Sequence, residues 1–320
     1  MRISAQIVAT GSHLPSKIIT NNDLSKTVDT SDEWIIERTG IKQRHIAESN
    51  ELTSDLAYQA CLNLFKNAPI KISEVEMIIV ATTSPDLTFP STACILQNKL
   101  QATKAFAFDI QAVCSGFIYA LSVANNFIKT GAVKNALVVG SETLSKIVDW
   151  SDRNTCVLFG DGAGAVLLQS TNQENCGIIA DSLHSDGTLN DILKTSGGPS
   201  LNQKTGFIEM SGREVFKHAV EKMATSVLST LKKVNLDASA IDLLIPHQAN
   251  LRILNSVAHK LNIPNEKIII TLHNHANTSA ASIPLALDFA FKNNRIKKGD
   301  LLVLEALGGG LTWGTVLIKY

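Results

Sequence analysis

The sequence has no surplus of either charge. Twenty-nine Lys and Arg face 29 Asp and Glu, which excludes a nucleic-acid protein held by a broad basic face, because that mode of binding sets many cations against phosphates. One small basic patch for an acidic partner remains compatible with neutrality. No apolar run approaches the roughly 18 residues needed to cross a bilayer. The opening stretch, residues 1–9, reads as a strand rather than a signal peptide. A soluble, cytoplasmic protein is therefore expected. Cysteine is sparse and scattered: Cys61, Cys94, Cys114, Cys156 and Cys176 include no Cys-x-x-Cys pair, which argues against a disulfide framework and against a zinc site. A Gly-Lys-Ser/Thr phosphate loop, low-complexity segments and blocks of like charge are also missing.

What the chain does have is a high apolar content, enough to bury a sizeable core, and one pattern written twice. Phe106–Ile110 leads into Cys114-Ser115-Gly116, then apolar residues at helical spacing (Phe117, Ala120, Leu121, Ala124, Phe127, Ile128), then Asn135–Gly140. Residues 267–272 lead into Asn277, then Ile283, Ala286, Leu287, Ala290 and Phe291 at the same spacing, then residues 300–305. Each copy reads strand, tight turn, helix, strand. Val75–Ala81 and Ile241–Pro246 are further matching apolar runs, of the kind that forms parallel strands covered on both faces. Each half closes on glycines and a strand: Phe159-Gly-Asp-Gly-Ala-Gly164 onward, and Gly308-Gly-Gly310 onward. A boundary near residue 170 divides the chain into halves 1–170 and 171–320. The first half carries extra segments, residues 14–45 and 141–158, which are expected as binding loops and hold Trp34, Arg38, Trp150 and Arg153.

Reactive residues fall where strands end, the place where α/β sheets bind ligands. Cys114 opens a helix, so the helix dipole is expected to lower its thiol pKa by up to about 1.5 units; the competing reading is a small buried hydrophobe. Cys61 reads as helical and Cys156 as strand-like, both packed in the core. His247 and Asn277 follow buried strands in the second half. His273 and His275 alternate along a strand end but lack a third ligand, so no metal is expected. The Gly160–Gly164 glycines precede a strand rather than a helix, unlike a dinucleotide fingerprint. Gly308–Gly310 reads as backbone brought close to a reacting atom, with N–H groups free for an oxyanion. Cys, His and Asn would also suit a hydrolase, although the duplicated halves and the closing glycines argue against one.

Taken together, Ser31-Asp-Glu-Trp-Ile-Ile-Glu-Arg-Thr-Gly-Ile41, Cys114-Ser-Gly-Phe117, Phe159-Gly-Asp-Gly-Ala-Gly164, Pro246-His-Gln-Ala-Asn-Leu-Arg252, Asn277-Thr-Ser-Ala-Ala-Ser-Ile-Pro284 and Gly308-Gly-Gly-Leu-Thr-Trp-Gly314 make nearly the whole chain resemble the β-ketoacyl-acyl-carrier-protein synthases III, condensing enzymes of the thiolase superfamily. The resemblance implies an α/β, thiolase-like, five-layer αβαβα fold of two pseudo-symmetric βαβαβαββ halves, assembled as a homodimer. It implies decarboxylative Claisen condensation of an acyl-CoA starter, acetyl-CoA foremost, with malonyl-acyl-carrier protein, initiating type II fatty acid biosynthesis. Both are substrates, and no cofactor, metal, nucleic acid or membrane is implied. In that scheme Cys114 carries the acyl group, and His247 and Asn277 bind the malonyl thioester carbonyl. The N–H groups of Cys114 and Gly309 form the oxyanion hole. Trp34, Arg38 and Arg153 hold CoA, Asn250 meets the pantetheine arm, and Phe89 (across the dimer) and Leu307 line the acyl pocket. Arg252 and Lys217 meet the acidic carrier protein. Four positions depart from the usual family pattern: Ala276 stands for a Gly, Leu307 for a Phe, and Val113 and Ser115 flank Cys114 where Ala is common.

Overall fold

The computed structural model describes residues 3–320; Met1 and Arg2, the head of the first strand-like stretch, lie outside them. Five strands form one sheet in the order Ser4–His13, Gly162–Thr171, Asn135–Glu142, Met77–Ala81, Phe106–Ile110. A second sheet runs Gly177–Ser185, Thr312–Lys319, Leu301–Gly308, Leu243–Pro246. The two orders match position for position, and a parallel bridge between Leu244 and Ile268 stands where Phe106–Ile110 stands in the first sheet. Residues 267–272, read from sequence as a full strand, therefore contribute only that bridge. The cause is one side chain: Gln248 Oε1 accepts the N–H groups of Thr271 and Leu272 (2.8 and 3.2 Å), which turns the chain into the short helix Leu272–His275. His273 and His275 accordingly lie on a helix, not along a strand.

Met77–Ala81 pairs in parallel with both its neighbours, Leu243–Pro246 pairs in parallel with Leu301–Gly308, and the strands that return after each glycine turn are antiparallel. Met77–Ala81 is apolar throughout because both its faces are covered. Met77, Ile79 and Ala81 face a core shared with the second sheet, while Ile78 and Val80 face the opposite side. Between the sheets lie the helices Gly116–Lys129 and Ser282–Lys292, whose Phe117, Leu121, Ile283 and Leu287 join residues of both sheets in one cluster. Outside the first sheet lie Thr53–Phe65 and Thr92–Leu100; outside the second lie Gly212–Lys232 and Leu251–Lys260. Five layers result. The chain passes from one sheet to the other between Thr171 and Gly177.

Glycine decides how closely the layers approach. A Cβ on Gly164 would lie 2.7 Å from Leu285 N and from Pro284, so this glycine-rich turn is a packing surface against the inner helix. The segments 14–45 and 141–158 are not simple loops. They contain the hairpin Lys17–Thr20 with Gln43–Ile46, the helix Asp32–Thr39 and the helix Arg153–Cys156, consolidated by a separate cluster with Ile35, Ile41, Leu144 and Phe159. Cys156 thus ends a helix rather than lying in a strand, and it is fully buried. No helix among the described residues is long and apolar enough to cross a membrane.

Candidate active site

The strand Phe106–Ile110 ends below a single 3-10 turn, Val113–Ser115, from which the helix Gly116–Lys129 departs. Cys114 sits in that turn and is 5% exposed. Burial dominates its acidity. The thiol is pushed up to about 12 by desolvation, with a further rise from the charge of Glu142, and the Ser279 side chain opposes this only in part. The thiolate expected from the helix dipole is not what this environment favours at rest, because a dipole worth at most about 2 kcal/mol is smaller than the desolvation of a buried anion.

His247 follows the strand Leu243–Pro246 and donates its backbone N–H to Glu305 O at 2.8 Å. Its Nδ1 lies 2.7 Å from Ser282 Oγ, which also receives the Gln248 N–H at 3.3 Å. With the Ser282 hydroxyl giving its own hydrogen to Nδ1, the imidazole hydrogen lies on Nε2. Burial pushes the His247 pKa down to about 3, which keeps the ring neutral and its Nε2–H a donor.

Asn277 is fixed against Phe159: its N–H reaches Leu158 O and its carbonyl accepts from Gly160, both at 3.0 Å. Its Oδ1 accepts the Ser279 N–H at 2.9 Å. Because a backbone N–H can only donate, the atom there must be the oxygen, and the two Nδ2 hydrogens point the other way.

The segment Asn277–Ser282 draws these groups together. It supplies Asn277 itself, places Ser279 beside the Cys114 thiol and gives Ser282 to His247. The glycine run closes the site from the second sheet. A Cβ on Gly308 would come within 2.7 Å of Cys114 N, an approach only glycine allows. No acceptor among the described residues takes the Gly309 N–H.

Backbone strain gathers at the same place. Val113, Ala276 and Ser279 have φ of +48°, +58° and +47°, and a β-branched Val there is a genuine outlier. Ala276, with ψ −163°, occupies a corner ordinarily reserved for glycine. Relief of about 1–3 kcal/mol of strain is set against one lost buried methyl, about 0.8 kcal/mol, and a looser unfolded chain, about 0.4–1 kcal/mol, so strain in the middle or upper part of its range prevails. Ala276→Gly is therefore expected to match or exceed the parent in stability by up to about 1 kcal/mol, read as the urea midpoint. A drop of similar size would show that the conformation is not strained.

The remaining expected residues occupy two patches. Arg153 and Arg38 place their guanidinium carbons 4.9 and 5.8 Å from the Trp34 ring centre, so Trp34, Arg38 and Arg153 do meet. Asn250 caps the helix Leu251–Lys260 through Arg252 N and donates to Arg38 O at 3.1 Å, leaving one N–H and one lone pair for a ligand. Arg252 lies over Phe216, next to the exposed Lys217. Leu307 is buried, whereas Phe89 is 82% exposed. No group of three or more His, Cys, Asp or Glu suited to a metal forms among the described residues. Sequence reading missed Ser279, Ser282, Gln248 and Glu142. The only signal for them was the spacing of two serines after Asn277 and an acid closing the apolar run Asn135–Gly140.

Comparison with known proteins agrees with this geometry. Residues 108–187 match the family described as 3-oxoacyl-(acyl-carrier-protein) synthase III, and residues 231–320 match its C-terminal part. The β-ketoacyl-acyl-carrier-protein synthase III of Ehrlichia canis (strain Jake) is 56% identical over 313 residues, 98% of each chain. That of Wolbachia pipientis wMel is 57% identical over 315 residues, again 98% of each. The crystal structure of the synthase III from Aquifex aeolicus superimposes with a TM-score of 0.94 at 48% identity, covering 99% of this chain and 100% of that one. With the thiolase-like layers and the converging Cys, His and Asn already in place, the chain belongs to the β-ketoacyl-acyl-carrier-protein synthase III family of acyltransferases.

Proposed function

We propose that the chain condenses an acyl-CoA starter with malonyl-acyl-carrier protein, with Cys114 as acyl carrier and His247 and Asn277 as the decarboxylation pair. The observation that carries this reading is the pair of neutral donors, His247 Nε2–H and Asn277 Nδ2–H, held by the segment that also touches the Cys114 thiol. Sulfur attacks the thioester carbonyl, and the N–H groups of Cys114 and Gly309 take the oxyanion charge. CoA leaves, and the malonyl thioester enters. Loss of carbon dioxide makes an enolate, which a neutral imidazole and a carboxamide stabilise without protonating its carbon. The enolate attacks the acyl-Cys114 carbonyl, and the β-ketoacyl group departs on the carrier protein. As written, the reaction calls for no metal or organic cofactor. The two halves, 1–170 and 171–320, contribute nucleophile and enolate donors respectively.

Trp34, Arg38 and Arg153 offer an aromatic face and two cations to an adenine and its phosphates. Arg252 and Lys217, on adjoining helices, offer cations to an acidic carrier protein. The reading includes a homodimer. Phe106–Ile110 is an edge strand with Phe106 45% exposed, a surface that invites pairing with a second copy, and Phe89 is then free to reach the neighbouring acyl pocket. A sedimentation mass of one chain would end that part. It also includes the cytoplasm, where five unpaired cysteines stay reduced.

The test is intact-mass analysis after incubation with a panel of acyl-CoAs, followed by malonyl-acyl-carrier protein. One acyl group should attach, with the shortest chains fastest, and should discharge only when the malonyl partner is added. Discharge by water alone would point to a hydrolase instead.

A further inference from the structure

The Cys114 proton has no acceptor among the groups described so far, since His247 is a neutral donor and Asn277 does not titrate. We infer that Glu142, acting through the Ser279 hydroxyl, receives the Cys114 proton during acylation. This rests on Cys114 being the nucleophile.

Glu142 ends the strand Asn135–Glu142 and is wholly buried. Its two oxygens are used unequally. Oε2 accepts from Ser84 Oγ at 2.6 Å, Ser84 N and Thr83 N at 3.1 Å, and Thr82 Oγ1 at 3.3 Å, whereas Oε1 has Thr83 N at 3.2 Å, with the Ala280 N–H also near the carboxylate. Oε1 thus keeps lone-pair capacity. Ser279 supplies the other half of the argument. Its hydroxyl is buried and completes no hydrogen bond of full geometry, yet the side chain lies within reach of both the Cys114 sulfur and the Glu142 carboxylate. Its backbone is held at φ +47° by the bond from its N–H to Asn277 Oδ1. An unpartnered hydroxyl held in a costly conformation between an acid and a base is a suitable proton bridge.

The step balances. As sulfur attacks the thioester carbon, the S–H proton passes to Ser279 Oγ, and the proton already on that oxygen passes to Glu142 Oε1. When the tetrahedral adduct expels CoA, the proton returns by the same two hops to the departing sulfur and gives CoA–SH. Cys114 is the titratable group that faces Glu142. The turns packed against the carboxylate, Thr82 to Ser84 and Ser279 to Ala280, present hydroxyls and N–H groups. Burial pushes the Glu142 pKa up to about 7, so the acceptor form gains population as pH rises through neutrality.

The test is single-turnover acylation by acetyl-CoA, followed by intact mass from about pH 5.5 to 8.5, in wild type, Glu142→Gln and Ser279→Ala. Wild-type rates should climb through neutral pH. Both variants should acylate about 100-fold more slowly or worse, and Glu142→Gln should flatten the profile, which a purely structural defect would not do. A folded Glu142→Gln protein that keeps the wild-type profile overturns the relay, as does Ser279→Ala acylating at the wild-type rate. If Glu142→Gln melts early, Ser279→Ala decides alone, because removing an unpartnered hydroxyl breaks no hydrogen bond of the fold. Acylation at a residue other than Cys114 overturns the nucleophile reading itself, whereas unhindered acyl-Cys114 in the variants overturns only the relay.

Discussion

Cys114→Ala protein mixed with acetyl-CoA should keep its unmodified mass, with the rate of acyl attachment down by a factor on the order of 10⁴ or more. The size of the effect follows from the chemistry. The proposed condensation needs the acyl group held as a Cys114 thioester, whose carbonyl carbon takes the new C–C bond and whose sulfur leaves, and no neighbour is placed to replace that sulfur. Cys61 is wholly buried and its thiol is raised by desolvation; Cys156 is raised to about 11, again chiefly by burial. Cys94 is exposed, so slow and pH-driven labelling there is the control to subtract. The fold should survive. Cys114 makes no disulfide, and losing one buried sulfur costs about 1 kcal/mol. Full acyl transfer by folded Cys114→Ala protein would remove the nucleophile assignment.

His247→Ala and Asn277→Asp should separate the two half-reactions. Acylation of Cys114 should persist, because the N–H groups of Cys114 and Gly309, the proposed oxyanion donors, are untouched. Condensation should fall by about 10²–10³ for each variant, the loss typical of one aligned donor. Asn277→Asp is the sharper probe. Its shape is nearly unchanged and one oxygen still accepts the Ser279 N–H, so the backbone should hold. The second oxygen then sets a negative charge or lone pair against the developing enolate. If either variant decarboxylates malonyl-acyl-carrier protein at the parental rate, the enolate is stabilised by other groups.

Much of this was legible in the residues because burial leaves a periodic trace. Continuous apolar runs such as Met77–Ala81 announce strands covered on both sides, and the spacing of Phe117, Leu121 and Ile128 announces a helix. The trace fails where one side chain overrides it. Ile268–Ile270 has the composition of a strand, yet Gln248, more than 20 residues away in sequence, captures Thr271 and Leu272 and bends the chain into a helix. Cys114 and His247 were readable because each follows a strand, and Asn277 because the run before it has a strand's composition although it ends in the helix Leu272–His275. Ser279 and Glu142 were not, since their meaning lies in contacts with Cys114 across 165 and 28 positions of sequence respectively, and a lone Ser or Glu carries no pattern. The acidity of Cys114 was misjudged for a related reason: the helix start is visible in the sequence, but the depth of burial that outweighs it is a property of the assembled layers.

Six consecutive residues, Asn277 to Ser282, touch every reacting group. Any drift of that ribbon carries the carboxamide, the imidazole and the sulfur's neighbour along together, so their mutual spacing survives motions that would scatter groups mounted on separate loops. Evolutionary change should therefore be freer in the rooms around this ribbon, where starter and carrier are chosen, than in the ribbon itself, and variants that exchange one starter for another should leave its sequence intact.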